Sequence, residues 1–198
     1  MNAPRSNDPP LSPPGLGPDE RRGLLRLARE AMRVYLESGE LLDPSAAAPE
    51  EDWAGGVFVT LRRDRGLRGC IGWIRADAPL RRAVVRCAVA SATDDPRFDP
   101  VGLEELPRLS IEISVLSAPV PLSSPAEIRV GRDGLIIEKS GHRGLLLPQV
   151  AVEQGWDRDT FLEEVCRKAG LRTDDWRQGA NLQRFTAEVF GEGDLPTT

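Results

Sequence analysis

Histidine and cysteine are scarce in this chain, and this limits the metal sites that it can build. The 198 residues include one histidine, His142, and three widely spaced cysteines, Cys70, Cys87 and Cys166, with no Cys-x-x-Cys pair. A zinc site needs about four clustered cysteine or histidine ligands. We therefore expect no metal site and no cofactor. The odd cysteine count, without a secretory leader, indicates a reducing cytoplasm.

Long apolar runs, basic stretches and glycine-rich phosphate loops are also absent. No run approaches the roughly 20 apolar residues that span a bilayer. The 26 lysines and arginines are mixed with 31 acidic residues, so the net charge is −5 and no basic stripe indicates nucleic-acid binding. Neither GxGxxG nor GxxxxGK[ST] occurs. The sequence thus predicts a protein that binds neither membranes nor nucleic acids.

The composition is that of one soluble domain with short tails. The chain is 40% hydrophobic and 29% charged, which suffices for one sizeable core. Residues 1–18 are rich in proline, glycine and polar side chains, and this composition is typical of a flexible tail. We therefore predict a single domain over residues 19–192, with a second tail over residues 193–198.

The first half of the chain has the pattern of a helix, a hairpin, a second helix and a strand. Helical periodicity covers residues 19–38. Two runs of β-formers flank a turn at residues 64–66. A helix begins near Pro79, with Asp77 as its cap, and alternating apolar residues predict a strand over residues 109–116.

The second half repeats this order. A short strand is expected near Ile128, followed by strands at residues 135–138 and 145–147 around the turn "KSGHRG". A helix over residues 157–169 and a strand over residues 182–190 complete the pattern. Because hairpin, helix and strand occur twice, we predict an α+β fold that duplicates this unit, with a mainly antiparallel sheet and helices packed on one side.

The stretch "LRGCIGW" places a cysteine between two glycines inside a strand, where glycine is normally avoided. Side-chain alternation puts Arg68 and Cys70 on one face, so that a guanidinium roughly 7 Å away could stabilise a thiolate. The missing side chain at Gly72 would leave room for a small ligand at the sulfur, and Gly69 is a further candidate binding residue. Alternatively, Cys70 is a small core residue and the glycines mark a bulge or close packing. Both interpretations stay open.

Further candidate residues lie outside this stretch. Asp95 and Arg97 occupy "DDPRFDP", where two prolines stiffen a loop that either holds a pocket rim or only caps a helix. Glu112 lies either towards solvent or in the same cleft as Cys70. His142 is the only imidazole available as a base for Cys70, although an exposed histidine in a loop is the simpler interpretation. Arg143, beside it in "GHRG", is a further candidate binding residue.

Several motifs together resemble the AMMECR family. They are "LRGCIG", "DPRF", "EISVLS", "VGRDGLII", "RGLLLPQVAVEQGW" and "FLEEVCRKAGL", and the similarity extends from about residue 20 to residue 190. The resemblance implies an α+β fold with a duplicated unit around an antiparallel sheet, and a functional role for "LRGCIG" at residues 67–72. It also implies association with a Memo-like protein and a radical SAM enzyme. The position of His142 is variable in the family motif, which weakens a Cys/His dyad.

Three hypotheses follow for the function. In the first, the protein is an accessory component that binds a small molecule or a protein through the "LRGCIG" surface. In the second, it is a cysteine-dependent enzyme with Cys70 as nucleophile and Arg68 beside it in a small cleft. In the third, the motif is a tight hairpin needed only for folding. The sequence does not decide whether the protein is an enzyme, and it names no substrate.

Overall fold

The computed structural model describes residues 15–44, 55–64, 66–75 and 78–194. These residues form two units. The first unit contains the residues up to Val115 and those from Glu188 onwards, and the second contains residues 116–187. Several predicted features lie outside the described residues. They are residues 1–14 of the predicted tail over residues 1–18, most of the loop after the first helix, the Asp77 cap and residues 195–198. The single domain over residues 19–192 stays a prediction.

Two helices of the first unit follow from their local sequence. Helix α1, Pro18–Ser38, begins with proline in its first turn, and the Glu20 carboxylate accepts a hydrogen bond from the Gly17 amide at 2.6 Å. It ends at Gly39, whose φ of 75° suits glycine. Helix α2, Leu80–Thr93, packs its small apolar stripe against α1 and the strands. The predicted helices are therefore confirmed in the first unit.

The first unit also contains a three-stranded antiparallel arrangement. Strand β1, Val57–Arg63, lies between β2, Gly66–Trp73, and β3, Ser110–Leu116. Both pairings are antiparallel. The alternate residues of β1 and β3 that face the helices are buried, together with the helix stripes, in one apolar core.

The second unit repeats this plan with a different set of elements. Its strands and helices are β4 (Val120–Pro121), β5 (Asp133–Lys139), β6 (His142–Leu146), α3 (Pro148–Glu153), α4 (Arg158–Lys168) and β7 (Asn181–Gly191), whose last residues belong to the first unit. Strand β5 pairs with β6 and β7, and β4 pairs with β7, all antiparallel. Helices α3 and α4 pack on this hairpin and enclose a separate apolar core.

Two details of the second unit differ from the sequence-based prediction. Ile128 is not in a strand: it is buried after a 3-10 turn at Pro125–Glu127, which the Ser124 hydroxyl caps by accepting from the Ala126 amide. The turn between β5 and β6 is also shorter than "KSGHRG". Ser140 and Gly141 both have positive φ, 52° and 82°, as a two-residue hairpin turn requires. His142 and Arg143 therefore lie in β6.

The predicted α+β fold with a duplicated unit is confirmed, because the two units contain the same arrangement of elements. The first unit has the strand order β2-β1-β3 and the second has β6-β5-β7, so that hairpin, helix and strand occur twice in chain order. In each unit the helices pack on the apolar face of the hairpin. None of the described helices is long and apolar enough to cross a membrane.

Candidate functional site

Cys70 lies in the middle of β2 and pairs with Thr60 of β1. Its sulfur is half-buried and lies 3.2 Å from the Thr60 hydroxyl oxygen. Either atom can donate the hydrogen, so the contact suits a neutral thiol as well as a thiolate. Thr60 itself is buried and holds the sulfur from one side.

A row of polar side chains crosses the three strands of the first unit. Thr60 is paired with Cys70 on one side and with Glu112 of β3 on the other. Residues paired across antiparallel strands lie on the same face of the sheet. With strands about 4.8 Å apart, Cys70 and Glu112 are about 10 Å from each other. Glu112 also lies 3.9 Å from the Arg62 guanidinium. Glu112 thus shares the face of Cys70, although their strands do not pair directly.

The two glycines around Cys70 are explained by close packing. A Cβ atom on Gly69 would lie 2.1 Å from the Ser91 carbonyl oxygen of α2, and one on Gly72 would lie 2.4 Å from the Phe58 ring. Real Cβ atoms do not approach other atoms this closely. The room for a ligand that was expected at Gly72 is therefore occupied by Phe58, because that ring covers the glycine from the neighbouring strand.

Ser91 of α2 links the helix to the hairpin. Its hydroxyl accepts a hydrogen bond from the Ile71 amide at 2.8 Å and donates one to the Val59 carbonyl at 2.7 Å. The hydroxyl thereby bridges β2 and β1 next to Cys70. Since Ser91 is buried and the helix backbone touches Gly69, the position of β2 relative to α2 is closely defined.

Asp95 and Arg97 hold the backbone of Cys70 at the outer edge of β2. The Cys70 amide donates to Asp95 Oδ2 at 2.8 Å, and Arg97 Nη2 donates to the Cys70 carbonyl at 3.3 Å. An edge strand otherwise presents these groups unpaired. The two side chains of the "DPRF" loop thus replace a neighbouring strand at this one residue, and they fix the backbone that carries the thiol.

The carboxylate of Asp95 is buried but fully compensated. Its side chain is 3% exposed. It accepts hydrogen bonds from Arg97 Nε at 2.9 Å, Arg97 Nη2 at 2.6 Å and the Arg97 amide at 3.1 Å, besides the Cys70 amide. The Arg97 guanidinium, followed by the two amides, holds the pKa of Asp95 well below its usual range, against the opposing effect of burial. Asp95 is therefore charged whenever the protein is folded at neutral pH.

Arg68 is engaged away from the thiol. The register shifts between Leu61 and Arg62, so that Arg68 is an extra residue in β2 and the simple alternation fails there. Its guanidinium donates to both carboxylate oxygens of Glu105, at 2.8 and 3.0 Å, and to the Asp99 carbonyl at 3.0 Å. These hydrogen bonds lower the pKa of Glu105. The observed partner of Arg68 is thus a carboxylate, and the expected thiolate contact is not formed.

Phe98 contacts one arginine of β2 and one of its own loop. Its ring centroid lies 5.9 Å from the Arg68 guanidinium carbon and 5.5 Å from that of Arg97. Such cation–π contacts restrict both guanidinium groups. Neither Phe98 nor Glu105 was identified from the sequence, because an aromatic and an acid in a loop carry no periodicity. Thr60 was detectable, since it alternates with buried residues of β1.

The remaining candidates belong to the second unit. His142 is exposed and its Nδ1 lies 3.2 Å from the Ala169 carbonyl oxygen. Arg143 is exposed and pairs with Glu138 of β5. Neither is part of the group of side chains around Cys70 in the first unit. Within the described ranges, no group of three or more histidine, cysteine or acidic residues is arranged to hold a metal ion.

The other two cysteines are core residues. Cys87 and Cys166 are fully buried in α2 and α4. Burial raises the pKa of the Cys87 thiol to about 12 and also raises that of Cys166. All three cysteines of the chain are free thiols. Cys70 is thus the one cysteine of the three that is only half-buried.

The second unit carries a row that corresponds to Cys70, Thr60 and Glu112. Gly144 takes the place of Gly69, because a Cβ atom on it would lie 2.6 Å from the Ala169 amide at the end of α4. The residue after Gly144, Leu145, pairs with Ile136 of β5, and Ile136 pairs in turn with Gln183 of β7. Leu145, Ile136 and Gln183 thus form the row that is equivalent to Cys70, Thr60 and Glu112. The close glycine is therefore common to both units, whereas the thiol, hydroxyl and carboxylate occur only in the first.

Comparison with known proteins gives consistent results along most of the chain. A sequence model of the AMMECR1 family matches residues 25–190. A protein of Pyrococcus abyssi is 48% identical over 181 residues, covering 85% of this chain and 88% of that protein. A protein of Thermofilum pendens is 45% identical, covering 89% of this chain and 92% of that protein.

A solved structure agrees with the fold as well. The crystal structure of an uncharacterized protein from Pyrococcus horikoshii superposes with a TM-score of 0.81 at 47% identity. The match covers 86% of this chain and 90% of that one. Sequence and structure comparisons therefore agree on one family.

Proposed function

We propose, because this chain belongs to the AMMECR1 family, that it is a cytoplasmic binding component that uses the "LRGCIG" hairpin of the first unit as its recognition surface. In line with the family resemblance, we propose a Memo-like protein and a radical SAM enzyme as its partners. A small molecule bound at the same surface is compatible with this role.

The observation that supports this proposal is the polar row Cys70, Thr60 and Glu112. The corresponding row of the second unit, Leu145, Ile136 and Gln183, carries two apolar side chains and an amide on a similar backbone. A thiol and a carboxylate on a sheet face add nothing to a core. Their restriction to one of two similar hairpins favours a role in recognition.

The loop that holds Cys70 supports the same conclusion. Asp95 is a buried charge, and burying a charge is unfavourable unless it is paired and hydrogen-bonded. Here the pairing serves to fix one residue of an edge strand, Cys70, from outside the sheet. A rigid backbone reduces the ordering cost when a partner binds. We therefore interpret Asp95 and Arg97 as positioning residues.

A cysteine-dependent enzyme is the second candidate. It is favoured by the half-buried sulfur of Cys70 and its contact with the Thr60 hydroxyl. Binding without covalent chemistry fits better, since the two guanidinium groups near Cys70 are paired with acids, Arg68 with Glu105 and Arg97 with Asp95. The one histidine of the sequence lies at the Ala169 carbonyl in the second unit. A nucleophilic cysteine normally has a base or a cation beside it.

The binding proposal is tested by exchanging the two outer members of the row. Cys70→Leu combined with Glu112→Gln places the outer side chains of the second unit's row on the first and leaves Thr60 between them. Copurification with the Memo-like protein and the radical SAM enzyme of the same organism should fall at least tenfold. Gln183→Glu, in the second row, is the matched control and should copurify like the wild type. A folded double variant that retains both partners would overturn the proposal.

The two candidates are separated by thiol labelling over a range of pH. Under the binding proposal, Cys70 of the folded protein reacts no faster than a model thiol at any pH. Labelling of Cys70 faster than the model thiol at neutral pH would instead favour the enzyme. The buried Cys87 and Cys166 are internal controls, because they should react only after unfolding.

A further inference from the structure

Four arginines surround one cavity in the second unit. The cavity has a volume of about 400 Å³, within the range of small-molecule sites. It lies between the 3-10 turn before β5, the start of α4 and strand β7. Its lining consists of Ala126, Glu127, Ile128, Arg129, Arg132, Arg158 and Arg184. In a chain with more acidic than basic residues, this concentration of positive charge is unusual.

Two of these arginines are held by carboxylates. Arg132 donates to both oxygens of the fully buried Asp133, at 2.7 and 2.9 Å. Arg184 donates to Glu127 at 3.2 Å and lies 3.8 Å from Asp133. The two acids thus fix two guanidinium groups at the cavity, and they cancel two of its four positive charges.

The other two arginines are not compensated. Arg129 and Arg158 are exposed, and neither guanidinium forms an ion pair with any residue that the structure describes. In addition, the Nε atom of Arg184 is buried and has no hydrogen-bond acceptor within the described part of the chain. An unpaired guanidinium N–H in a buried position is unfavourable. The cavity therefore offers two net positive charges, and one of the arginines that line it has an unused donor.

We propose that this cavity binds a phosphorylated small molecule through its phosphate group. A phosphate monoester carries about two negative charges at neutral pH and has three acceptor oxygens. Two net charges from several directions match this group better than a planar carboxylate, which a single bidentate arginine satisfies. The volume leaves space for an organic part beside the phosphate. The site uses residues of the second unit only, so that it stands apart from the function proposed for the hairpin.

The test is calorimetric titration of the full chain with three probes, which are adenosine 5′-monophosphate, inorganic phosphate and adenosine. We expect saturable binding of the monophosphate and no binding of adenosine. Arg129→Gln combined with Arg158→Gln should weaken binding of the monophosphate at least tenfold. Both side chains are exposed, so the double variant should keep the thermal unfolding temperature of the wild type. Arg172→Gln, at an exposed arginine of the same unit, is the matched control.

Each outcome decides for or against the site. Monophosphate bound more tightly than inorganic phosphate supports a ligand with an organic part, and equal affinity supports recognition of the phosphate group alone. Equal affinity of the wild type and the double variant would overturn the proposal. So would the absence of saturable binding of either phosphate at millimolar concentration.

Discussion

The two hairpins of this protein have the same backbone plan and different side chains at their centre. Each has an outer strand with an Arg-Gly pair whose glycine lies against a helix, at Gly69 and at Gly144. The residue after each glycine begins a row of paired side chains. In the first unit the row is Cys70, Thr60 and Glu112, and in the second it is Leu145, Ile136 and Gln183.

This difference separates the packing role of the motif from the recognition role that we propose for it. The glycine of "LRGCIG" is explained by the helix behind it, because the second hairpin has the same glycine without the cysteine. The thiol row is not explained in this way. The part of the motif that serves the fold is thus Gly69, and the part to which we assign the proposed function is the half-buried face that contains Cys70.

The loops that follow α2 and α4 have similar sequences but hold different groups. Both helices lead into a similar segment, "TDDPR" at residues 93–97 and "TDDWR" at residues 173–177. Asp95 grips the Cys70 amide, whereas Asp175 accepts from Lys139 Nζ at 2.6 Å and from the Arg172 amide at 2.8 Å. The equivalent acids therefore hold different groups. Asp95 fixes the edge strand of the first unit, whereas Asp175 fixes a lysine and its own loop in the second.

Alanine at the two equivalent glycines should give the largest effects. Gly69→Ala forces a Cβ into a backbone carbonyl and should lower the free energy of unfolding by about 3 kcal/mol. In Gly144→Ala the new Cβ meets the Ala169 amide less closely, at 2.6 Å. We expect this variant to lower the free energy of unfolding by about 2 kcal/mol. Urea denaturation measures both.

Gly23→Ala is the control for these glycine variants, because it lies in α1 with nothing within 4 Å of its Cβ position. It should stabilise the protein by up to about 1 kcal/mol. A Gly69→Ala protein as stable as the wild type would contradict the packing explanation of the motif.

Neutralising Asp95 and Asp175, the equivalent acids of the two loops, should lower the free energy of unfolding by different amounts. Asp95→Asn weakens charge-assisted bonds to Arg97 and Cys70 in a buried position, and should cost about 2 kcal/mol of unfolding free energy. Asp175→Asn should cost less, because that carboxylate is more exposed. Chemical denaturation of both variants gives the comparison. Equal losses would show that Asp95 has no special part in fixing β2.

The stability difference between the wild type and Asp95→Asn should depend on pH. The pKa of Asp95 is lowered by folding, so its contribution is complete above the unfolded-state carboxyl pKa and is lost as the pH falls below that value. We expect the difference to be constant between pH 6 and 8 and about 1 kcal/mol smaller at pH 3. Urea denaturation at these pH values measures it. A difference that grows on acidification would contradict the assignment.

The smallest effect is expected from the hydroxyl beside the thiol. Thr60→Val keeps the shape of the side chain and removes its hydrogen bond to Cys70, which should cost less than about 1 kcal/mol. Binding of the partners should then change more than stability does. A loss of several kcal/mol in thermal or urea unfolding would show that Thr60 serves mainly the fold.

Much of the fold was predictable because its signals are local. The apolar stripe of α4, with Gly170 at its end, predicts that helix to within a residue at each end. The alternation in β3 correctly predicts its buried face. The strand expected near Ile128 was wrong, since an isolated buried residue beside a 3-10 turn has the same apolar signal as a short strand.

The candidate site was predictable only in part, because its contacts are non-local. Cys70, Asp95 and Arg97 were each identified, but their mutual hydrogen bonds join residues about 25 positions apart. Arg68 was expected beside the Cys70 thiol because side chains alternate regularly along a strand. The bulge at Arg68 breaks this alternation. Glu105, its true partner, lies 37 residues away in the sequence and has no pattern of its own.

Hydrogen–deuterium exchange of the full chain with and without the Memo-like protein tests the central claim most directly. If the first hairpin is the recognition surface, the partner should slow exchange in residues 57–73 and 110–116, and leave residues 133–146 unchanged. Protection confined to residues 133–146 would contradict the account, because it would place recognition on the hairpin whose central row is Leu145, Ile136 and Gln183.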